Sequence, residues 1–245
     1  MSLPYSVLAL GTRADAGEWE RGCSKVLGQT RGVVLRKARP TLDELETVFD
    51  TEAAWLYVGA HSMPGKKAAW LFNDLFDHDA PSRSPEGAVL LQLFPTNAQL
   101  MRYQPVSGKV GPVARERRVD GRGFALRRSL RVSLWAGCAL LQPDAIPILR
   151  SLFRPHLMLG FYNPVSSDAV FEVLKRDPLM ADERTLFFER AQPDPEDPKF
   201  VMDAWFTGAL HAHQTPEKVR KFGFAAVDAK GERWVMSAKG KVQRG

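Results

Sequence analysis

The sequence predicts an α/β protein with a mainly parallel central sheet and helices on both faces of that sheet. Short runs rich in Val, Leu and aromatic residues alternate with amphipathic segments, which is typical of repeated β-α-β units. The runs carry few interior charges, as expected for strands buried on both faces of a parallel sheet. The chain has 245 residues, 44% of them hydrophobic and 25% charged, which excludes a disordered or collagen-like protein.

Five runs are predicted to be the strands of this sheet, and all five are expected to be buried on both faces. They are Tyr5 to Leu10, Val33 to Arg36, Ala54 to Gly59, Arg131 to Trp135 and Leu157 to Tyr162.

Helical periodicity fills the intervals between these runs. The first predicted helix, Ala16 to Gly28, carries Trp19 and Cys23 at helical spacing, so we interpret Cys23 as a core thiol. Thr41 and Glu44 form a capping box that starts the second helix.

Two further helices are predicted later in the chain. One covers Leu140 to Phe153 and is entered through Pro143, and the other is capped by Ser166 or Ser167. Residues 1–175 therefore form the predicted core domain.

Two stretches interrupt the alternation of strands and helices. Residues 63–130 contain short apolar runs with joints rich in Pro, Ser and Asp, which predicts inserted hairpins. Residues 176–245 are predicted to be an extension packed on the core, with a helix near Phe200 to Ala212 and a hairpin joining Phe222 to Val227 with Trp234 to Ala238.

Charge and cysteine content restrict the classes of function. The excess of 34 Lys and Arg over 28 Asp and Glu leaves a net charge of +6, and the two cysteines are too few for a disulfide scaffold. We find no secretory signal and no apolar window of the roughly 18 residues that a membrane span requires. These features predict a cytoplasmic protein that does not enter a membrane.

A run of seven arginines raises the alternative of a basic nucleic-acid-binding protein. Only Phe124 is interleaved with this run, whereas base stacking requires several aromatic side chains, so a solvated loop or strand face is the favoured interpretation. The arginines are at positions 115, 117, 118, 122, 127, 128 and 131.

The candidate catalytic residues follow two of the predicted strands. His61 comes directly after the third strand and Cys138 after the fourth. Ligands bind outside the carboxyl ends of strands in an open α/β sheet, so both side chains are expected to face one cleft. An imidazole beside a thiol produces a nucleophilic thiolate, and nearby backbone N–H groups can hold an oxyanion. For either residue taken alone a purely structural role is the favoured interpretation, and their shared placement at one edge of the sheet favours the pair.

The order of these elements resembles that of the caspase-like (clan CD) cysteine peptidases, which include metacaspases and the CHAT domains of bacteria. Tyr57 to Ser62 lies where that family has a strand followed by its catalytic His, and Ser133 to Cys138 lies where it has a strand followed by its catalytic Cys. The resemblance covers residues 1–175 by order and placement, and it implies an αβα sandwich that cleaves a protein substrate, requires no cofactor or metal, and is controlled in some cases by an activating or inhibitory partner.

The resemblance also assigns the residues around the dyad. Ser62 and Gly137 are expected to border the oxyanion, although Ser62 stands where the family usually has Gly. Arg13 occupies the place of an arginine that reads an acidic substrate side chain in caspases, but a surface arginine is the favoured interpretation and Asp15 argues for the opposite preference. A catalytically inactive scaffold on the same fold is the principal alternative.

Metal sites have weaker support in the sequence. Asp74, Asp77, His78 and Asp79 form an acidic cluster without the Gly and distal Glu of a calcium loop. His211 and His213 are two positions apart and would face different sides of a helix. We therefore predict no metal.

Overall fold

In the computed structural model the described residues form two β-sheets and seven α-helices. The structure describes residues 5–11, 13–26, 32–50, 53–106, 109–117, 130–165, 167–175 and 186–245. No helix in these ranges is both long and apolar enough to cross a membrane.

The central sheet has eight strands, and its middle is parallel. Its strands are β1 (Tyr5–Ala9), β2 (Gly32–Arg36), β3 (Trp55–Gly59), β9 (Val132–Ala136), β10 (Leu157–Phe161), β11 (Phe224–Asp228), β12 (Arg233–Met236) and β13 (Val242–Arg244). They lie in the order β13-β12-β11-β10-β9-β3-β1-β2. The pairs from β2 across to β10 are parallel, and β11 to β13 continue the same sheet in antiparallel pairing.

A second sheet is formed by the insertion between β3 and β9. Its strands are β4 (His61–Met63), β5 (Ala69–Phe72), β6 (Val89–Leu93), β7 (Ala98–Val106) and β8 (Lys109–Arg117), all antiparallel and in sequence order. The described part of this insertion consists of antiparallel hairpins and begins at His61 rather than at residue 63.

Helices cover both faces of the central sheet. They are α1 (Ala14–Val26), α2 (Leu42–Asp50), α3 (Ile146–Phe153), α4 (Ser167–Leu174), α5 (Leu186–Ala191), α6 (Pro198–His213) and α7 (Pro216–Phe222). Buried residues of α1, α4, α5 and α6 share one core with one face of the sheet. Those of α2, α3 and the second sheet share another core with the opposite face. This is the predicted mixed α/β class.

Most of the predicted strands are confirmed with small shifts of their ends, but the expectation that all five are buried on both faces is wrong for β2. The described side chains of β1, β3, β9 and β10 are buried, whereas those of β2 alternate between exposed and half-buried. The cause is topological, because β2 lies at the edge of the sheet.

The capping box is confirmed, while the predicted start of α3 is wrong. Thr41 N–H donates to Glu44 Oε2 at 2.7 Å, and Glu44 N–H donates to Thr41 Oγ1 at 3.1 Å. The helix α3 begins at Ile146 rather than near Leu140. Leu141 N–H donates to Phe161 O and is therefore not used for a helical bond.

The segment from residue 176 contains more structure than the sequence predicted. The predicted helix and hairpin are present, and α5, α7 and β13 are additional elements. Because β11 pairs with β10 along five residues, this segment extends the central sheet.

Candidate active site

The candidate site lies where the parallel strands β1, β3 and β9 end. The five parallel strands have the order β2-β1-β3-β9-β10, in which the chain passes from β1 to β2 on one side and then returns to β3 on the other. In such sheets the crevice for a ligand forms outside the carboxyl ends at the point where the order reverses, here between β1 and β3. His61 follows β3 at this crevice, and β9 runs beside β3 with Gly59 paired to Ala136.

His61 and Cys138 lie just beyond the regular parts of two paired strands. A bend at Ala60 separates His61 from β3, and a bend at Gly137 separates Cys138, which lies in a turn, from β9. Gly59 and Ala136, the last residues of the two strands, are paired. The structure therefore brings the two predicted residues to neighbouring strand ends.

A close contact between Ser62 and the Gly137-Cys138 backbone ties these two strand ends together. Ser62 Oγ donates to Cys138 O at 2.8 Å, and Ser62 is only 7% exposed. A Cβ at Gly137 would lie 2.3 Å from Ser62 Oγ and 2.9 Å from Ala60 O. The absence of a side chain at Gly137 therefore makes room for Ser62 and Ala60, and the Ser62 hydroxyl is already used in a hydrogen bond within the fold.

His61 is held from the side of the second sheet. Its Nε2 lies 2.8 Å from Asp74 Oδ1, and its ring stacks on Phe72 with centroids 5.8 Å apart. The side chain remains 51% exposed. A carboxylate that fixes one ring nitrogen leaves the other nitrogen directed elsewhere, which is the role of the third member in catalytic triads.

The Asp74 carboxylate in turn fills the space above the end of β1. A Cβ at Gly11, whose φ is +110°, would lie 3.3 Å from Asp74 Oδ2. The chain therefore places a carboxylate, an imidazole and the ends of β1 and β3 in one cluster.

Cys138 is half-buried beside the segment that enters α4. Its Sγ lies 3.3 Å from Val165 O and accepts from Val165 N–H at 3.5 Å. The following residue, Ala139, has a φ of +56°, a left-handed conformation that costs an alanine about 1–3 kcal/mol. A sharp turn directly after the thiol is consistent with a backbone shaped to present it.

The second cysteine, Cys23, differs from Cys138 in its burial and in its surroundings. Cys23 is fully buried in the core on α1, as predicted. Burial, together with the charge of Glu20, raises the pKa of the Cys23 thiol well above its ordinary value. Cys23 is therefore an inert thiol and an internal reference for the reactivity of Cys138.

Arg13 is not the surface residue that the sequence favoured. Its side chain is 11% exposed and donates to both carboxylate oxygens of Asp15, at 3.0 and 2.8 Å, and to Ala136 O at 2.8 Å. Tyr57 Oη donates to Asp15 Oδ2 at 2.6 Å. Local sequence missed this arrangement because it depends on β3 and β9 lying beside the end of β1.

The pKa shifts in this network follow from burial and from the paired charges. Burial lowers the pKa of Arg13, but the hydrogen bond and charge of Asp15 outweigh burial and raise it. Burial raises the pKa of Tyr57 well above its ordinary value, and the Asp15 charge adds to this. The guanidinium therefore stays charged, with Asp15 as its counter-ion.

The imidazole and the thiol are not in direct contact. Among the described residues, the side-chain hydrogen bonds of His61 and Cys138 go to Asp74 and Val165, and none joins the two side chains. Catalytic contacts are often loose before substrate binds and tighten in the complex. The arrangement supplies a thiol, a base and a carboxylate at one sheet edge.

Asp74 and Val165 are the two site residues that the sequence did not assign. Asp74 was grouped with the acidic cluster, but the register pairs His61 with Phe72, which brings the residues after β5 back toward the histidine. Only the register of the β4-β5 hairpin would have revealed this proximity.

The remaining candidates form no site in the described residues. No group of three or more His, Cys, Asp or Glu side chains there could hold a metal ion. Asp77 Oδ1 accepts the N–H groups of Asp79 and Ala80. In the predicted basic run, residues 115 and 117 belong to β8, and positions 118, 122, 127 and 128 lie outside the described residues.

Comparison with known proteins gives no relative for this chain. No family model matches it, and neither the curated proteins nor the solved structures contain a match.

Proposed function

We propose that this protein is a caspase-like cysteine endopeptidase in which Cys138 is the nucleophile and His61 is the base. The observation that carries this proposal is the position of both residues directly beyond the carboxyl ends of the paired parallel strands β3 and β9. The contact between Ser62 Oγ and Cys138 O holds these two chain ends together.

The order of elements supports the same assignment. The chain runs β1, α1, β2, α2 and β3 to His61, continues through the antiparallel insertion, and then reaches β9 and Cys138 followed by α3 and β10. This is the order that the resemblance to the caspase-like peptidases implies for residues 1–175.

The proposed reaction forms and breaks a thioester. The Cys138 thiolate attacks the carbonyl carbon of a peptide bond after His61 has taken the thiol proton, and the imidazolium then protonates the leaving amine as the C–N bond breaks. Water, activated by the neutral imidazole, hydrolyses the thioester and releases the acid product. Asp74 orients the ring and balances the imidazolium charge.

The backbone hydrogen bonds near Cys138 restrict which N–H groups are free to hold the oxyanion. Ala139 N–H donates to Asn163 O at 3.1 Å and is used within the fold. In the described part of the chain the Cys138 N–H has no acceptor, so we assign the oxyanion to this group. The Arg13 charge is balanced by Asp15, and we therefore do not assign selection of acidic substrates to Arg13.

A substrate-profiling experiment tests the proposed activity. The wild type, Cys138→Ala and Cys23→Ala would be incubated with a library of denatured proteins, and new peptide termini would be identified by mass spectrometry. We expect termini from the wild type and from Cys23→Ala but none from Cys138→Ala. Equal cleavage by all three would show that Cys138 is not the nucleophile.

A non-catalytic scaffold on the same fold is the second candidate. It is favoured by one observation, that the imidazole and the thiol hydrogen bond to Asp74 and Val165 and not to each other. An activating partner that brought the His61 imidazole and the Cys138 thiol into contact would reconcile the peptidase and scaffold hypotheses. Under the scaffold hypothesis, Cys138→Ala would leave partner binding unchanged in a pull-down and the wild type would cleave nothing.

A further inference from the structure

A basic cavity lies away from the candidate active site, between α3 and the turn that joins β11 to β12. Its volume is about 510 Å³, within the range of small-molecule sites. Arg150, Lys230 and Arg233 line it together with an apolar wall of Pro143, Ile146 and Pro147.

Three of the cationic side chains lining the cavity have no carboxylate partner among the described residues. Arg150 donates to the backbone oxygen of Ala229, and Arg233 lies over the Tyr162 ring with 5.2 Å between Cζ and the ring centroid. The fourth cation, Arg244, is paired with Glu232 at 2.6 Å. Glu232 also lines the cavity, so four cationic side chains face one carboxylate side chain and the cavity has an excess of positive charge.

The turn itself is shaped to hold one of these guanidinium groups. Gly231 has a φ of +87°, and a Cβ at this position would lie 2.2 Å from Arg150 Nη1. Asp228 Oδ1 accepts the N–H groups of Lys230 and Glu232, which fixes the turn. The carboxylate of Asp228 thus organises the backbone without lining the cavity.

We infer that this cavity binds a small organic phosphate of the size of a nucleoside monophosphate. Arg150 and Arg233 are half-buried, and neither has a carboxylate partner among the described residues, so both are available to an anionic ligand. A phosphate monoester carries close to two negative charges on one group and accepts the forked donors of arginine. The apolar wall of prolines and Ile146 contacts the organic part of the ligand. This inference is independent of the proposed peptidase function.

Binding would be measured by isothermal titration with adenosine monophosphate, inorganic phosphate and adenosine as probes. We expect saturable 1:1 binding of adenosine monophosphate, weaker binding of inorganic phosphate and none of adenosine. Lys230→Gln changes an exposed side chain, so the fold is retained, and it should weaken adenosine monophosphate binding about tenfold.

Arg150→Gln combined with Arg233→Gln should abolish binding, and the exposed Arg83→Gln is the matched control that leaves it unchanged. Absence of saturable binding of adenosine monophosphate would overturn the inference. Adenosine or inorganic phosphate binding as tightly as adenosine monophosphate would also overturn it. So would an adenosine monophosphate dissociation constant that Lys230→Gln leaves unchanged.

Discussion

Gly137→Ala should destabilise the protein by forcing apart the two strand ends that form the candidate site. The added methyl would lie 2.3 Å from Ser62 Oγ and 2.9 Å from Ala60 O, whereas an ordinary contact at this position begins at 3.4 Å. Ser62 can move aside only by giving up its hydrogen bond to Cys138 O, and Ala60 O is a backbone atom. Overpacking costs about 1–3 kcal/mol, and the lost hydrogen bond adds about 1 kcal/mol.

Urea unfolding followed by circular dichroism measures this effect as a change in the free energy of unfolding. The expected loss for Gly137→Ala is about 2–4 kcal/mol. Gly111→Ala is the matched control, because a Cβ at Gly111 meets nothing within 4 Å. If Gly137→Ala were as stable as Gly111→Ala, the packing of Ser62 against Gly137 would be refuted.

Two further predictions concern buried titratable groups. Asp15→Asn leaves the Arg13 guanidinium, which is 11% exposed, without its counter-ion, and should lower the free energy of unfolding measured in urea by about 3 kcal/mol. The control Glu172→Gln removes an exposed ion pair with Lys175 and should lower it by less than about 1 kcal/mol. Equal losses for the two variants would contradict the buried pair. Burial lowers the pKa of His213 below its ordinary 6.5 despite its hydrogen bond to Ala169 O, so the unfolded chain binds this proton more readily. The contribution of His213 to stability is complete above pH 6.5 and is lost as the pH falls below that value. His213→Gln should therefore make the stability measured by thermal unfolding depend less on pH in this range. An unchanged pH dependence would refute the lowered pKa of His213.

Local sequence patterns were sufficient for the elements that depend on local chemistry. The apolar runs located β1, β3, β9 and β10 because strands buried on both faces need few polar residues. The reciprocal contacts of Thr41 and Glu44 follow from their spacing alone.

Features that depend on long-range pairing were not predictable in this way. The exposure of β2 depends on its place at the edge of the sheet, and the burial of Arg13 depends on Tyr57 and Ala136 from two other strands. The helix α3 begins later than predicted because the N–H groups of Ala139 and Leu141 donate to Asn163 O and Phe161 O, at and just after the end of β10. Each of these results from contacts between residues distant in the sequence.

In the candidate site, too, some features follow from local sequence and others depend on long-range pairing. The ends of β3 and β9 were predictable, and with them the proximity of the chain at His61 and Cys138. The partners of the two side chains were not, since Asp74 returns through a hairpin and Val165 precedes a later helix. The sequence pattern therefore predicted the candidate residues but not the residues that contact their side chains.

The rate at which iodoacetamide alkylates Cys138 tests the central claim most directly. Peptide mapping of the native protein at neutral pH would follow Cys138 and the buried Cys23 in one sample, before and after His61→Ala. An activated thiol predicts that Cys138 reacts far faster than Cys23 and that His61→Ala slows it at least about tenfold. A Cys138 rate that His61→Ala leaves unchanged would contradict the assignment of this pair as a catalytic dyad.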